Sequence, residues 1–238
     1  MKKNLVVILA REGSKRIINK NFQVIGKKSL ILRTIEIAKK LKNSDVVIST
    51  DSKKIAKIAK TYNIRVPWLR PKNISKDDSS SSQAIAHILK MLKNKISSYK
   101  GLILLQPTSP YRNLKKIKKI ITLFEKNISK NFVAVSKFKY NAKNLYEMND
   151  MNKKLKRIAV KKKINNLYYV NGSFYIISIK EFLRKKSFIS KNTHGFDINN
   201  FKESIDIDTH EDLILAKKIL WKKKYYYLEV AHLGQVDL

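Results

Sequence analysis

The chain has 238 residues, with 52 Lys and Arg against 18 Asp and Glu, a formal net charge of +34 and no cysteine. Hydrophobic residues make up 43%, enough for a real core, so charge-driven disorder is not expected, and the missing cysteines exclude a disulfide framework, a cysteine zinc site and thiol catalysis. No apolar run approaches the roughly 18 residues of a membrane span, so a soluble cytoplasmic protein of one large domain, with no membrane partner, is expected.

Residues 4–10 form a continuous apolar run rich in β-branched side chains, which predicts a strand buried on both faces. It leads into a polar loop, Arg11 to Asn21. Leu30, Thr34, Ile37, Ala38 and Leu41 recur at helical spacing, and Val46 to Ile48 return as a second buried strand ending at Asp51. Ile55, Ile58 and Ala59 predict another helix, and Ile85, Ile88, Leu89, Leu92 and Ile96 a stronger one. Leu102 to Leu105 reads as a strand, Leu114, Ile117, Ile121, Phe124 and Ile128 as the cleanest helical stripe, and Phe132 to Ser136 as a further strand. Residues 137–166 are polar, Lys- and Asn-rich and weakly periodic, which predicts an extension beyond the main sheet. Val170 to Ser178 resumes as a strand, and Leu213, Ala216 and Leu220 define a last helix. The repeated strand-loop-helix order predicts one α/β domain over 1–220 with a mostly parallel central sheet. The tail 221–238 fits no element and is set apart as disordered or foreign to the domain.

The basic excess raises a nucleic-acid reading. Only eight of the 52 cations are arginine. The lysines are spread along almost every segment, mostly at the polar positions of amphipathic helices, whereas a dedicated binder concentrates cations on one face and interleaves aromatics. No specific nucleic-acid partner is expected, only weak, salt-sensitive adsorption to polyanions. A basic nucleic-acid-binding α/β protein without catalysis is the alternative of a different class.

Three polar clusters fall where strands stop, the place where open α/β sheets bind ligands. The first is Arg11-Glu12-Gly13-Ser14-Lys15-Arg16, continuing to Lys20-Asn21. Gly13 lets backbone amides approach an anion, and Arg11, Lys15 and Lys20 can spread charge over a polyphosphate. The spacing is neither that of a Walker A loop nor Gly-x-Gly-x-x-Gly. The second is Gln106-Pro107-Thr108-Ser109-Pro110-Tyr111-Arg112, a turn stiffened by prolines; the bland reading is a connection capped by Ser109 or Asn113. The third is Ile205-Asp206-Ile207-Asp208-Thr209. Alternation along an extended segment puts Asp206 and Asp208 on one side and the isoleucines in the core, which makes a hard-cation site suited to Mg2+. Capping of the last helix by Asp208 or Thr209 is the bland reading there.

These blocks, with Arg70-Pro71 followed by Asp77 and a serine run, and with Asn171-Gly172-Ser173-Phe174-Tyr175-Ile176, closely resemble the acylneuraminate cytidylyltransferases in the same order over roughly residues 4–220. The resemblance implies a Rossmann-like nucleotide-binding fold that couples CTP to a nine-carbon sialic-acid-type α-keto acid sugar, forming a CMP-sugar and pyrophosphate. It implies that Arg11, Ser14, Lys15 and Asn21 hold the nucleotide with Lys20 near the phosphates, and that Arg70 and Ser81 contact the nucleotide. Gln106, Asn171 and Tyr175 match positions lining the sugar acid, and Asp206 with Asp208 match magnesium carboxylates. A homodimer is implied, with 137–166 as the candidate extension. Lys15, Arg11 and Lys20 are the groups expected to stabilise the departing pyrophosphate; no histidine lies in a matched block. One departure stands out: Lys161-Lys162-Lys163 occupies the place of a family arginine that grips the sugar carboxylate, which leaves neuraminate, legionaminate and pseudaminate open. The eight-carbon 3-deoxy-octulosonate branch fits less well, because its first loop lacks the Lys20-Asn21 pair.

Overall fold

The computed structural model describes residues 2–139, 145–148, 153–157 and 166–220. Most of the expected extension, its Lys161 to Lys163 segment included, and the tail 221–238 lie outside the described residues. In chain order the elements are β1 (Lys3–Leu9), β2 (Val24–Ile25), β3 (Lys28–Ser29), α1 (Leu30–Lys39), β4 (Ser44–Ser49), α2 (Lys53–Thr61), α3 (Ser81–Met91), β5 (Tyr99–Leu105), α4 (Leu114–Lys126) and β6 (Asn131–Lys137). They continue with β7 (Tyr146–Met148), β8 (Leu155–Arg157), β9 (Tyr168–Ser178), α5 (Ile179–Lys185), β10 (Thr193–Asp197) and α6 over 210–220.

The six long strands form one sheet in the order β10-β6-β9-β5-β1-β4. All pair in parallel except β9, which runs antiparallel to both β5 and β6. The sheet is therefore mostly parallel, as the strand-helix alternation predicts. Side chains of β1 alternate between its faces: Val6 and Ile8 pack with α1, α2 and α4, while Leu5 and Val7 pack with α3 and α5. Two apolar layers result, one on each side of the sheet. The lysines sit where solvated faces require them, as in α4, whose Ile117, Ile120 and Phe124 are buried between exposed lysines.

The expected helix running to Ile96 stops at Met91 and gives way to a 3-10 turn, Lys93–Ser98. Neither α5 nor β10 was expected. The described part of 137–166 includes the β7–β8 antiparallel hairpin, which pairs apart from the main sheet. Among the described residues no helix is long and apolar enough to cross a membrane.

Candidate active site

The carboxyl ends of β1, β4 and β5 lie along one edge of the sheet, and the reversed β9 begins at that same edge. Loops leaving these strands build the site. A satellite apolar cluster beneath them joins Ile17 of the first loop to Ile205 and Ile207 of the acidic segment, together with Leu213 and Ala216 of α6. Ile17 and Ile207 are fully buried, and each such side chain contributes about 1.5–3 kcal/mol. That burial brings distant charges together: Lys20 Nζ donates to Asp208 Oδ1 at 2.8 Å, across 188 positions of chain, and to the Ile207 carbonyl at 3.0 Å.

The first loop is held at both ends. Asn21 Nδ2 donates to the Arg11 carbonyl at 2.7 Å, and the Glu12 amide donates to Asp51 Oδ1 at 2.9 Å. Gly13 faces open space, free for a ligand to approach. A cavity of about 480 Å³ is lined by Arg11, Ser14, Lys15, Arg16, Lys20, Asp77 and Asp208. The cationic turn and one acid of the expected pair thus share one rim. Asp77, downstream of Arg70-Pro71, faces the first loop: Arg11 bonds its carboxylate and Lys15 Nζ lies 3.4 Å from it. The Arg11 hydrogen bond leads in holding the Asp77 carboxyl below the usual range.

Arg70 and Ser81 do not line this cavity. Arg70 is buried at the end of β4, donating to Ser49 Oγ at 3.0 Å and to the Ser49 carbonyl at 2.6 Å. Burial brings its pKa down to about 10, so it stays charged at neutral pH. Ser81 opens α3, whose start is closed by a reciprocal Ser80–Gln83 capping box.

The two acids are not equivalent. Asp208 carries a side chain 54% exposed at the cavity, whereas Asp206 is sunk behind it with a buried Oδ1 that has no protein partner. Burial leads in raising the Asp206 carboxyl above its usual range, and the Asp208 charge adds to it; Thr108, Lys20 and Arg112 act in the opposite direction. Gly172 makes room for it at φ +77: a methyl group there would come within 2.9 Å of Asp206 Oδ2 and 3.3 Å of Gln106 Oε1. Gln106, Gly172 and Asp206 therefore converge. Tyr175 belongs to the same region, its phenol pushed up to about 12 by burial and by Asp206. Asn171 is placed there too, but its amide is engaged: Nδ2 donates to Ser136 Oγ at 2.8 Å and Oδ1 accepts from Ser173.

Capping does not consume either acid. Thr209 and Asp212 cap α6 reciprocally, the Thr209 amide donating to Asp212 Oδ2 at 2.9 Å and the Asp212 amide donating to Thr209 Oγ1 at 3.3 Å. Asn113 caps α4. The donor types suit a hard divalent cation: Asp206 carries a carboxylate oxygen with no protein partner, and Asp208 a half-exposed carboxylate whose Oδ1 is held by Lys20. Among the described residues no group of three or more acids, histidines or cysteines gathers as a ready-made metal cage. The cavity lining contains no histidine.

Fold and site together define a Rossmann-like α/β protein with a cation-lined cavity and a pair of carboxylates at its strand ends. The sequence profile of the cytidylyltransferase family matches residues 5–232, and the chain belongs to that family. It is 34% identical over 224 residues to a CMP-N,N'-diacetyllegionaminic acid synthase of Legionella pneumophila, a match covering 91% of this chain and 95% of the relative. It is 31% identical over 226 residues to a pseudaminic acid cytidylyltransferase of Campylobacter jejuni, covering 92% and 97% respectively. A solved CMP:2-keto-3-deoxy-manno-octonic acid synthetase complexed with CTP shares the fold at a TM-score of 0.65 and 14% identity, over 93% of this chain and 99% of that one.

Proposed function

We propose that the chain transfers the CMP portion of CTP to a nine-carbon sialic-acid-type α-keto acid sugar and releases pyrophosphate. The observation that carries this reading is the Lys20–Asp208 contact within a cavity that also presents Arg11 and Lys15. The names of the Legionella and Campylobacter relatives, a CMP-N,N'-diacetyllegionaminic acid synthase and a pseudaminic acid cytidylyltransferase, support the same acceptor class.

In the reaction the anomeric hydroxyl attacks the α-phosphorus and gives up its proton to solvent, while the bond from that phosphorus to the oxygen bridging the β-phosphate breaks and pyrophosphate leaves. An anionic acceptor meets a tetra-anionic triphosphate, so repulsion must be offset. Arg11, Lys15 and Lys20 do this at the β- and γ-phosphates, where charge grows as pyrophosphate departs. Gly13 and Ser14 offer close backbone approach and Asn21 keeps the loop in shape; Arg70 and Ser81, which lie outside this cavity, are assigned to the nucleotide by the family resemblance alone. Gln106 and Tyr175 face the acceptor, with Asn171 behind them. Asp206 and Asp208 would hold Mg2+, which when bound neutralises phosphate charge and polarises the α-phosphoryl group.

A homodimer and a cytoplasmic setting belong to this reading. The β7–β8 hairpin leaves Tyr146, Met148 and Leu155 exposed, and Tyr168, Tyr169 and Val170 are exposed at the start of β9. Apolar surface of this kind supports a partner copy. The test is a product scan with CTP, Mg2+ and a panel of N-acetylneuraminate, legionaminate, pseudaminate and 3-deoxy-octulosonate, with UTP, GTP and TTP as nucleotide controls. CMP-sugar and pyrophosphate are expected from CTP with a nine-carbon acid. Turnover of octulosonate alone, or indifference to the base, overturns the assignment.

A further inference from the structure

We infer that Arg112 is a positioning residue for the acceptor half of the site, a single guanidinium that sets the turn after β5 against the start of β9. Its Nε donates to the Ser173 carbonyl at 2.7 Å, its Nη1 to the Ser109 carbonyl at 2.5 Å and to Thr34 Oγ1 at 3.4 Å, and its Nη2 to the Gln106 carbonyl. Two of those carbonyls bear directly on the acceptor. Gln106 is itself a facing residue, and Ser173 lies between Gly172 and Tyr175. The guanidinium thereby fixes the spacing of Gln106 and Gly172, the two groups that converge on Asp206.

The chemistry requires an arginine. A planar guanidinium has five donors in a rigid fork and can serve several diverging carbonyls, whereas an ammonium at the same place is a compact point charge on a flexible stem. Carbonyls left without a donor in an enclosed turn would pull it apart. The first loop, Arg70 and Ser81 receive no hydrogen bond from Arg112, so its loss falls first on the acceptor side; the one nucleotide-side group it neighbours is Asp206, whose part needs Mg2+, and CTP affinity is therefore compared without the metal. Asp206 faces it as a charge partner, and although burial lowers its pKa to about 10, Arg112 stays cationic at neutral pH. Its outer edge lines a separate cavity of about 620 Å³ that also borders Arg33 and Tyr111. A small guanidinium ion can enter the space that truncation leaves.

The inference rests on the proposed acceptor class, and the full-length chain tests both. Arg112→Lys and Arg112→Ala are compared with the wild type for CTP affinity by calorimetry and for KM toward N-acetylneuraminate, legionaminate and pseudaminate. The expected result is CTP affinity within about twofold of wild type, and an acid KM raised about tenfold or more, because misplacement at the reacting centre is costly. Millimolar guanidine is expected to restore part of the acid KM in Arg112→Ala. Amide hydrogen exchange is expected to rise in residues 106–112 and 171–175 and to stay unchanged in residues 11–21. An unchanged acid KM in a folded variant overturns the inference. So does a matched loss of CTP affinity, acid affinity and thermal midpoint, the mark of a merely structural arginine. A wild type inert toward every acid overturns the functional reading instead, and the exchange pattern still decides whether the clamp exists.

Discussion

Asp206→Asn separates what the fold tolerates from what the reaction needs. Burial, with the Asp208 carboxylate beside it, raises the Asp206 carboxyl above its usual range, and its Oδ1 is buried without a partner. At neutral pH the folded protein bears a desolvated charge that the unfolded chain carries freely in water. Leaving such a group unsatisfied costs about 1–3 kcal/mol. The amide removes the charge and the repulsion but keeps polar atoms in place, so the gain belongs at the lower end, about 1 kcal/mol. For a chain of this size that is a rise of about 2–4 °C in thermal midpoint. The sign with pH follows from linkage. The folded pKa lies above the unfolded one, so the folded state binds more protons between the two values, and wild-type stability rises as pH falls through the raised value. The advantage of the variant is therefore present at neutral pH and closes on acidification. Thermal unfolding by circular dichroism without divalent cations, from about pH 8 to about pH 4, reads this window. Pyrophosphate release with CTP and the acid panel reads the chemistry, where loss of a preorganised group is expected to cost about 100- to 1000-fold. A variant less stable than wild type at neutral pH, or one that keeps near-normal turnover, refutes the reasoning.

Lys15→Ala and Asp208→Ala are each expected to lower turnover about 100- to 1000-fold with the far-ultraviolet spectrum and thermal midpoint unchanged. Asp77→Asn removes a carboxylate that competes with phosphates for Arg11 and Lys15, so the KM for CTP in initial-rate assays is expected to fall by about twofold to fivefold; a rise would assign Asp77 to holding the loop instead. Gly172→Ala places a side chain at φ +77 and against Asp206. It is expected to cost about 1–2 kcal/mol in chemical denaturation and to raise the acid KM. Combining Tyr146→Asp with Leu155→Asp puts charge on the exposed hairpin and is expected to convert a dimer to a monomer by light scattering, with CTP affinity retained.

Sequence legibility followed the physics of each element. The strands β1 and β5 declare themselves because both faces are covered by helices and every position from Leu5 to Leu9 and from Leu102 to Leu105 is apolar. The edge strand β10 carries Thr193, His194 and Gly195, has no buried position and pairs only with β6, so no apolar run marks it. The reversal of β9 is invisible for another reason: an apolar pattern reads the same in either direction, and only pairing with β5 and β6 fixes its sense. In the site, alternation correctly turned Ile205 and Ile207 inward. It could not foretell that Asp206 would be sunk and Asp208 open, since that difference comes from Gly172 and Thr108, remote in sequence. Asp77 was hidden likewise, its partner Arg11 lying 66 positions upstream.

The charge excess and the site act at different ranges. A net charge of +34 draws both anionic substrates toward the protein without distinguishing them, and screening limits that field to about 10 Å at 0.1 M salt. Discrimination must come from cations whose positions the core dictates. Lys15 has a side chain 87% exposed and one loose partner, while Lys20 is 14% exposed and bonded twice to the acidic segment. Lys20 is thus ordered before any ligand arrives, by the same apolar cluster that buries Ile17 and Ile207. A lysine added elsewhere on the surface strengthens the field; one seated over that cluster, as Lys20 is, meets Asp208 as well.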